Sequence, residues 1–249
     1  MSRKGKTINT VTIRGILHIS YRLPSIYRVN TLNNMIDCHT HSIHSDGALI
    51  PSELIRRARV KGYTAMAITD HADESNIDVI LKSLKKVCAL YRDKGFLAVG
   101  GVELTHIPVK RIPALVKRAR ALGAGVIVGH GETLVEPVEP GTNAAYIKAG
   151  VDILAHPGLV TDDESLLGRK NGVLFEITAR GGHSLSNGHV ATTAKRHGVN
   201  MVIDTDAHGP SDLIDDGTAL RVVLGAGLSE NDFRRMQLNA EGLLKKASL

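Results

Sequence analysis

The sequence has few aromatic and few thiol side chains. Its 249 residues include no tryptophan, three phenylalanines and two cysteines. Cys38 and Cys88 form no CxxC pair and are too few for a disulfide framework, so the sequence predicts a reducing, cytoplasmic setting. No apolar run approaches the ~20 residues that a membrane-spanning helix needs. We therefore expect no membrane segment.

Acidic residues are absent from the first 34 positions, which explains the formal net charge of +6. That stretch holds the whole excess of the 31 basic over the 25 acidic residues, namely Arg3, Lys4, Lys6, Arg14, Arg22 and Arg28. The rest of the chain is electrically balanced. Because it also offers few aromatic rings for base stacking, the composition disfavours nucleic acid as a partner.

Residues 1–34 carry none of the motifs described below. We predict a basic, disordered arm or a start codon placed too far upstream, because Met35 directly precedes the first motif. An arginine-containing, acid-free targeting peptide is the alternative. The hydrophobic fraction of 43% suits one globular domain, which we predict to span 35–249.

Apolar, β-branched runs alternate with helical patterns after Met35. The seven runs are 35–41, 65–71, 96–103, 125–130, 151–157, 173–177 and 200–208. The predicted helices are 51–62, 77–93, 111–122, 142–149, 161–170, 189–197, 211–224 and 229–247. Such alternation is typical of parallel βαβ units. We predict an α/β fold, a (β/α)7 barrel one unit shorter than the TIM type.

Metal-ligand residue types stand at the ends of these runs, where barrel enzymes carry their sites. They are Asp37, His39, His41, Asp70, His71, Glu103, His130, His156, Glu176, Asp204, Asp206 and His208. His39 and His41 are two residues apart on an extended strand, so both point the same way and can bind one ion. Asp46 follows in a turn marked by Gly47. The pattern predicts a multinuclear metal site.

Together these segments resemble the PHP ("polymerase and histidinol phosphatase") family of metal-dependent phosphoesterases, and its stand-alone histidinol-phosphatase-like members most of all. The resemblance is carried by HxHSxxSDG at 39–47, TDH at 69–71, GxE at 101–103, HP at 156–157 and DxH at 206–208. It implies a distorted seven-stranded barrel with two or three zinc, manganese or iron ions. The ligands it implies are His39, His41, Asp46, His71, Glu103, His130, His156, Asp206 and His208, with Glu103 bridging two ions.

The implied activity is hydrolysis of a small-molecule phosphate monoester, with histidinol phosphate as the leading substrate. Paired divalent ions can share a hydroxide nucleophile and clamp phosphoryl oxygens. Developing charge on the phosphoryl group needs further cations, and Arg180 is our main candidate, beside Lys110 and Arg111. His183 or Asp206 could protonate the leaving alkoxide.

Several polar residues beside the predicted ligands have two interpretations. Asp37 and Asp70 could orient ligand imidazoles through the second ring nitrogen, or they could serve as caps and salt bridges. The same alternatives hold for Glu132, Glu176 and Asp204. His106 follows Glu103 in ELTHIP and is a candidate for the border of the site.

Other activities remain open at this point. Proteins of this family also act on nucleic acids, so a nuclease or phosphodiesterase is one alternative. An amidohydrolase-like barrel that cleaves C–N bonds also uses HxH, but it expects an eighth strand and often a lysine on strand four, where 125–130 offers none. A non-catalytic, metal-stabilised module is disfavoured, because buried charges are costly unless they serve coordination or catalysis.

Overall fold

The computed structural model describes residues 35–93 and 95–248, so the predictions for residues 1–34 lie outside it. Within these ranges the helices are α1 (Pro51–Val60), α2 (Ile77–Cys88), α3 (Ile112–Ala121), α4 (Thr142–Ala149), α5 (Asp162–Asn171), α6 (Asn187–His197), α7 (Asp216–Gly225) and α8 (Glu230–Ala247). The strands are β1 (Met35–Asp37), β2 (Tyr63–Ile68), β3 (His71–Ala72), β4 (Arg92–Asp93), β5 (Phe96–Gly100), β6 (Val102–Leu104), β7 (Ile127–His130), β8 (Ile153–Ala155), β9 (Leu174–Thr178) and β10 (Met201–Asp204).

Local sequence signals account for the ends of the helices. A capping box begins α5, where Thr161 and Glu164 satisfy each other's backbone N–H groups, and Ser229 and Asp232 do the same for α8. Helix α5 is followed by the capping residue Gly172, whose φ of 70° lies in the left-handed region that glycine adopts without strain. These signals keep the helices short and return the chain to the sheet after each crossover.

The strands form two sheets, with the orders β1-β2-β5-β4 and β10-β9-β8-β7-β6-β3. All pairs are parallel except β4–β5. The chain passes from the first sheet to the second where β2 leads into β3 and where β5 leads into β6. Beyond the carboxyl ends of β1 and β10, a parallel bridge joins Thr40 to Ala207, and the His41 N–H donates to the Ala207 carbonyl at 2.8 Å. The predicted barrel-like α/β class is confirmed.

Two helix predictions were wrong at their ends. The pattern over 77–93 reads as one helix, but α2 ends at Cys88, and Arg92 instead pairs antiparallel with Leu97. This segment forms an edge strand because the backbone N–H and C=O groups on the open side of β5 need hydrogen-bond partners. The helix predicted from 211 begins at Asp216, since the Asp215 side chain accepts the Thr218 N–H and fixes the start.

One apolar cluster of the core is built mostly from small and β-branched residues on alternate strand positions. Its members are Ile36, Cys38, Ala65, Ala67, Val99, Val126, Val128, Ile153, Ala155 and Val202, with Ala240 and Leu244 of α8. Alternate positions of one strand share a face, so these strands direct one set of side chains to a common interior, where Cys38 is buried as a free thiol. None of the helices in residues 35–93 and 95–248 is long and apolar enough to span a membrane.

Candidate metal centre

The residues that we predicted as ligands meet at the carboxyl ends of the strands. They are His39, His41 and Asp46 after β1, His71 in β3, Glu103 in β6, His130 at the end of β7, His156 after β8, and Asp206 and His208 after β10. His39, His41 and Glu103 are fully buried, whereas the Asp46 side chain is 56% exposed. The cluster therefore runs from the interior to the solvent.

Glu103 lies at the centre of the cluster. Its Oε2 atom is 3.3 Å from Nε2 of His39, 3.6 Å from Nε2 of His41 and 2.8 Å from Nδ1 of His71. Its Oε1 atom is 3.5 Å from Nε2 of His156. One carboxylate thus faces four imidazoles from three different segments of the chain.

Asp206 is the second carboxylate of the interior. Its Oδ1 atom lies 3.0 Å from Nε2 of His41 and 3.7 Å from Nε2 of His39. Asp206, His156 and His106 have φ angles of 51°, 26° and 52° and are the positive-φ non-glycine residues of the described segments. Such backbone conformations are sparsely populated and concentrate at functional sites. Here all three belong to the cluster or its border.

Asp46 closes the cluster on the solvent side. Its Oδ2 atom lies 3.2 Å from Nε2 of His208 and 3.6 Å from Nε2 of His71. The turn that carries it folds back because the Gly47 N–H donates to the Ser42 carbonyl at 3.0 Å. A Cβ at position 47 would clash with the backbone of His41, so the turn requires glycine.

Several buried polar atoms of the cluster have no hydrogen-bond partner within the described part of the chain. They are both carboxylate oxygens of Glu103, Oδ1 of Asp206, and Nδ1 of His41, His130 and His156. A buried polar atom without a partner is costly, and coordination of a cation removes that cost. Histidine and carboxylate donors suit zinc, manganese and iron alike. The donor set therefore fits divalent ions.

The predicted ligands include three groups in which all ligand atoms lie within 4.8 Å of one another. The groups are His39–His41–Asp206, His41–Asp46–His71–His208 and Glu103–His130–His156. His41 belongs to two of them, and Glu103 faces members of all three. Two or three ions match this arrangement.

Mutual charges set the protonation of the cluster. Burial opposes the ionised form of Glu103, but the neighbouring imidazoles of His39 and His71 outweigh it and hold the pKa of the carboxyl well below its usual range. Burial likewise opposes the charged form of His71, yet Glu103 raises its pKa to about 9. For His41 burial prevails and lowers the pKa to about 4. The carboxylate of Glu103 is thus ionised and can bind a cation.

A second layer of side chains holds the predicted ligands in place. Nδ1 of His39 lies 2.7 Å from Oε1 of Glu176, and Nδ1 of His71 lies 2.6 Å from the hydroxyl oxygen of Thr105. Glu176 therefore takes the imidazole-orienting role that we considered for it. Thr105 was missed, because a single threonine after a strand carries no signal in the sequence.

The imidazole-orienting role considered for Asp37, Asp70 and Asp204 is wrong. Asp37 accepts hydrogen bonds from the Thr205 hydroxyl, 2.6 Å away, and from two backbone N–H groups. Asp70 fixes the turn before Asp46 by accepting the Ser42 N–H and hydroxyl, and Asp204 accepts the Cys38 N–H. Glu132 accepts two backbone N–H groups at the start of α4 and is a capping residue.

Arg180 lies at the edge of the cluster and is one-third exposed. Its Nη1 atom donates to Oδ2 of Asp212 at 3.2 Å, and the same oxygen accepts the His208 N–H at 3.0 Å. The guanidinium is therefore held beside the segment that carries His208. Arg111 instead pairs with exposed Glu74 at 2.6 Å.

His183 borders the interior of the cluster. Its Nδ1 atom lies 2.6 Å from the Thr133 hydroxyl, and its Nε2 atom is 4.0 Å from Oδ2 of Asp206. Burial and the charge of His156 lower the pKa of His183 to about 4. The ring is neutral at neutral pH and stacks on His156, with 4.2 Å between the centroids.

The sequence analysis missed Glu136, which lies between three imidazoles. Its Oε2 atom is 3.0 Å from Nε2 of His130 and 3.4 Å from Nε2 of His106, and its Oε1 atom is 3.4 Å from Nε2 of His183. His106 does border the site. Glu136 stands in an irregular loop among other glutamates, so no spacing in the sequence separates it from them.

The chain is similar in sequence to known proteins of one family. The family model for the PHP domain matches residues 37–131. An uncharacterised protein of Methanocaldococcus jannaschii is 47% identical over 215 residues, which cover 84% of this chain and 98% of that one. The DNA polymerase/3'-5' exonuclease PolX of Bacillus subtilis is 28% identical over 202 residues, 72% of this chain and 35% of PolX. The chain thus spans about a third of the length of PolX.

Solved structures share the fold. A chain in a cryo-EM structure of archaeal ribonuclease P with mature tRNA has a TM-score of 0.63 at 17% identity, over 85% of this chain and 91% of that one. The histidinol phosphate phosphatase of Lactococcus lactis, crystallised with zinc, L-histidinol and phosphate, has a TM-score of 0.53 at 14% identity, over 86% and 94%. At such identities the likeness concerns the fold alone.

Proposed function

The chain belongs to the PHP family, and from this premise we propose that it is a metal-dependent phosphoesterase that hydrolyses a small-molecule phosphate monoester, as a histidinol phosphatase does. The family and the donor set support a metal-dependent hydrolase. The observation that carries the finer proposal is Glu103, a buried carboxylate that faces four imidazoles while neither of its oxygens has a hydrogen-bond partner in the described residues.

Nine residues would hold the ions in this proposal. They are His39, His41, Asp46, His71, Glu103, His130, His156, Asp206 and His208. Two or three divalent ions there would supply Lewis acidity toward phosphoryl oxygens and a water of lowered pKa at neutral pH. Glu103 has the position of a shared carboxylate, because its two oxygens face different imidazoles.

The chain's own residues would orient the ester. Arg180 is charged at all relevant pH values and can offer a planar pair of N–H donors to a phosphate. Asp212 holds the guanidinium at one nitrogen, beside the segment of His208. This anchoring would let Arg180 bind phosphate without a large loss of side-chain entropy.

Protonation of the leaving alkoxide is assigned to His183 in preference to Asp206. Asp206 is kept ionised by the imidazoles around it, which lower its pKa in spite of burial. His183 is neutral alone, but a phosphate dianion beside its Nε2 atom would raise its pKa and allow it to carry a proton to the leaving oxygen. Thr133 would hold the ring through Nδ1 during that transfer.

Phosphate release from a panel of esters tests the proposal. The panel contains histidinol phosphate, AMP, p-nitrophenyl phosphate and a short oligonucleotide, each with Mn²⁺, with Zn²⁺ and with EDTA. We expect release from one monoester that EDTA abolishes and added metal restores. Metal binding without release from any monoester would contradict the phosphomonoesterase proposal.

Phosphodiester hydrolysis is the second candidate, and the curated relatives favour it. PolX bears the name of an exonuclease, and the 5'-3' exoribonuclease of Haemophilus influenzae is 36% identical over 69 residues, 28% of this chain and 23% of that one. The equal numbers of basic and acidic residues beyond residue 34 disfavour phosphodiester hydrolysis, since nonspecific binding of nucleic acid relies on excess positive charge. Release from the oligonucleotide alone would decide for this alternative.

Cleavage of C–N bonds is the remaining alternative. The structures of an A. niger ochratoxinase and of a prolidase share the fold at 16% and 13% identity, which shows no activity. Strand β7 (Ile127–His130) corresponds to the fourth predicted run and contains no lysine. Failure of the whole phosphate panel with metal bound would make dipeptides and N-acyl amino acids the next substrates. The cytoplasmic location stays a prediction.

A further inference from the structure

A second group of metal-ligating side chains lies at the rim of the cluster, and two of its three members are outside the nine predicted ligands. It consists of His106, His130 and Glu136, whose ligand atoms all lie within 4.8 Å of one another. Two imidazoles meet the same oxygen, since Oε2 of Glu136 is 3.0 Å from Nε2 of His130 and 3.4 Å from Nε2 of His106. The rim group is half open, because the His106 and Glu136 side chains are 45% and 35% exposed.

The loop that carries Glu136 is held at both ends. It joins β7 to α4 over residues 131–141. Glu132 accepts the N–H groups of Gly141 and Asn143, both at 2.9 Å, and the Asn143 side chain accepts the Glu132 N–H at 3.0 Å. Asn143 also donates to the Pro157 carbonyl, which ties the loop to the segment after His156. The position of Glu136 is therefore fixed by the fold.

The imidazoles of the rim group are also directed toward Glu136. His106 has a φ of 52°, a conformation that a histidine adopts at a cost and that sets the direction of its side chain. His130 is 2% exposed, and its Nδ1 atom has no hydrogen-bond partner among the described residues. Nε2 of this nearly fully buried imidazole faces the partly exposed carboxylate of Glu136, and a nitrogen and an oxygen donor so placed suit a divalent cation.

We propose that His106, His130 and Glu136 bind a further divalent cation at the rim of the metal centre. The spacing supports a small ion with nitrogen and oxygen ligands, such as Zn²⁺. Ligands about 2.0–2.1 Å from a tetrahedral zinc ion lie about 3.4 Å from one another, and the rim distances of 3.0 Å and 3.4 Å are close to that value. Three protein ligands would leave one position for water or substrate.

His130 is common to the rim group and to the inner group of Glu103 and His156. A neutral imidazole has one nitrogen with a free lone pair, so His130 serves one of the two positions at a time. His106 and Glu136 belong to the rim alone. Substitution of His106 therefore removes the rim position without removing a predicted ligand of the inner cluster.

Metal titration of the purified protein tests the rim site. We would strip the protein with EDTA and titrate it with Zn²⁺ by calorimetry, comparing wild type with His106→Asn, Glu136→Gln and Glu139→Gln. Asparagine at position 106 tolerates the positive φ. Glu139 is exposed on the same loop, and its carboxylate accepts a 3.3 Å hydrogen bond from the Val109 N–H, which makes it the matched control.

We expect one binding step to weaken by about tenfold or more in both His106→Asn and Glu136→Gln and to stay unchanged in Glu139→Gln. Anomalous scattering at the zinc edge should place an ion between the three side chains in crystals of the wild type. An unchanged titration in His106→Asn would overturn the rim site. So would weakening in Glu136→Gln alone, because Glu136 would then act only by orienting His130.

The rim site concerns metal binding and rests on the proposed metal centre, but not on the identity of the ester. Loss of the rim step with phosphate release intact would support both proposals. Wild-type protein that binds the rim ion but releases no phosphate would count against the phosphomonoesterase alone. Failure of the rim-site proposal and failure of the phosphomonoesterase proposal are therefore distinguishable with the same wild-type and variant proteins.

Discussion

Nδ1 of His39 lies 2.7 Å from Oε1 of Glu176, and the other carboxylate oxygen of Glu176 accepts the His156 N–H at 2.8 Å. One buried carboxylate thus fixes the ring of one predicted ligand and the backbone of another. When Nδ1 donates to the carboxylate, the lone pair of the neutral ring is on Nε2, which faces Glu103 and Asp206. Glu176 in this way directs the His39 lone pair into the cluster.

The first prediction concerns Glu176→Gln. The amide keeps the size of the side chain but lacks the charge that favours Nδ1–H of His39. We expect the metal affinity to fall by about 10–100-fold, the usual effect of losing such an orienting partner. Competition with a fluorescent chelator measures it. Glu230→Gln on the exposed face of α8 is the control, and equal affinities in the two variants would contradict the orienting role.

The second prediction concerns His39→Ala and Asp206→Ala. Each substitution removes an atom that faces Glu103 or His41, so we expect phosphate release to fall by about 100-fold or more. The fold should stay intact, because the apolar cluster between the strands and α8 contains neither residue. Steady-state kinetics and far-UV circular dichroism measure the two effects.

Asp206→Asn is the matched variant for Asp206, since asparagine adopts a φ near 51° more readily than alanine does. It should be as inactive as Asp206→Ala if the carboxylate charge is what matters. Full turnover in any of these variants would show that the site is assigned wrongly.

The third prediction concerns Arg180→Met. If the guanidinium binds the phosphate of the ester, its loss should raise KM by about tenfold, near 1.4 kcal/mol, with a smaller change in kcat. Asp212→Asn keeps the guanidinium but removes the charge that anchors it and that holds the His208 N–H. A fall in kcat with KM unchanged in Arg180→Met would mean that Arg180 only positions the His208 segment.

The fourth prediction concerns pH and the start of α8. Burial raises the pKa of Asp232, but hydrogen bonds from Lys195 and Ser229 outweigh it and lower the pKa to about 2 from its ordinary 3.8. The unfolded chain therefore binds more protons between these values. The contribution of Asp232 to stability is complete above pH 3.8 and is lost as the pH falls through 2.

Asp232→Asn should accordingly be less stable than wild type by about 1 kcal/mol at pH 7, the usual worth of a helix cap, and the difference should shrink toward pH 2. Urea unfolding at several pH values measures it. Glu230→Gln, which breaks an exposed pair with Arg234, should change stability by at most about 0.5 kcal/mol. A difference independent of pH would show that the charge of Asp232 is not responsible.

The sequence was sufficient for the fold class and for its principal motifs, because both depend on short-range patterns. Alternation of apolar runs and helical spacing predicts βαβ units whatever the details of packing. His39 and His41 share a direction by strand geometry alone, and Asp46 follows in a turn that needs Gly47. The parallel order of the strands then brings their carboxyl ends together, so residues far apart in the chain become neighbours.

Predictions from local sequence patterns were wrong where a hydrogen-bond partner from another segment of the chain sets the local structure or the role of a side chain. The stretch 77–93 has helical spacing throughout, yet Arg92 pairs with β5 because an edge strand needs hydrogen-bond partners. Asp37 and Asp70 precede predicted ligands, yet their nearest donors are hydroxyl and backbone N–H groups of other segments. Sequence spacing cannot reveal such donors.

The sequence by itself thus determined the family, the fold class and the set of candidate ligands, since each follows from residue type and spacing. Only the tertiary structure decided which carboxylates face imidazoles and which hold the backbone. Glu136 shows the difference, because it shares its loop with Glu132 and Glu139 and nothing in the sequence ranks the three. The folded loop brings Glu136 to 3.0 Å from His130, and that distance depends on contacts between segments.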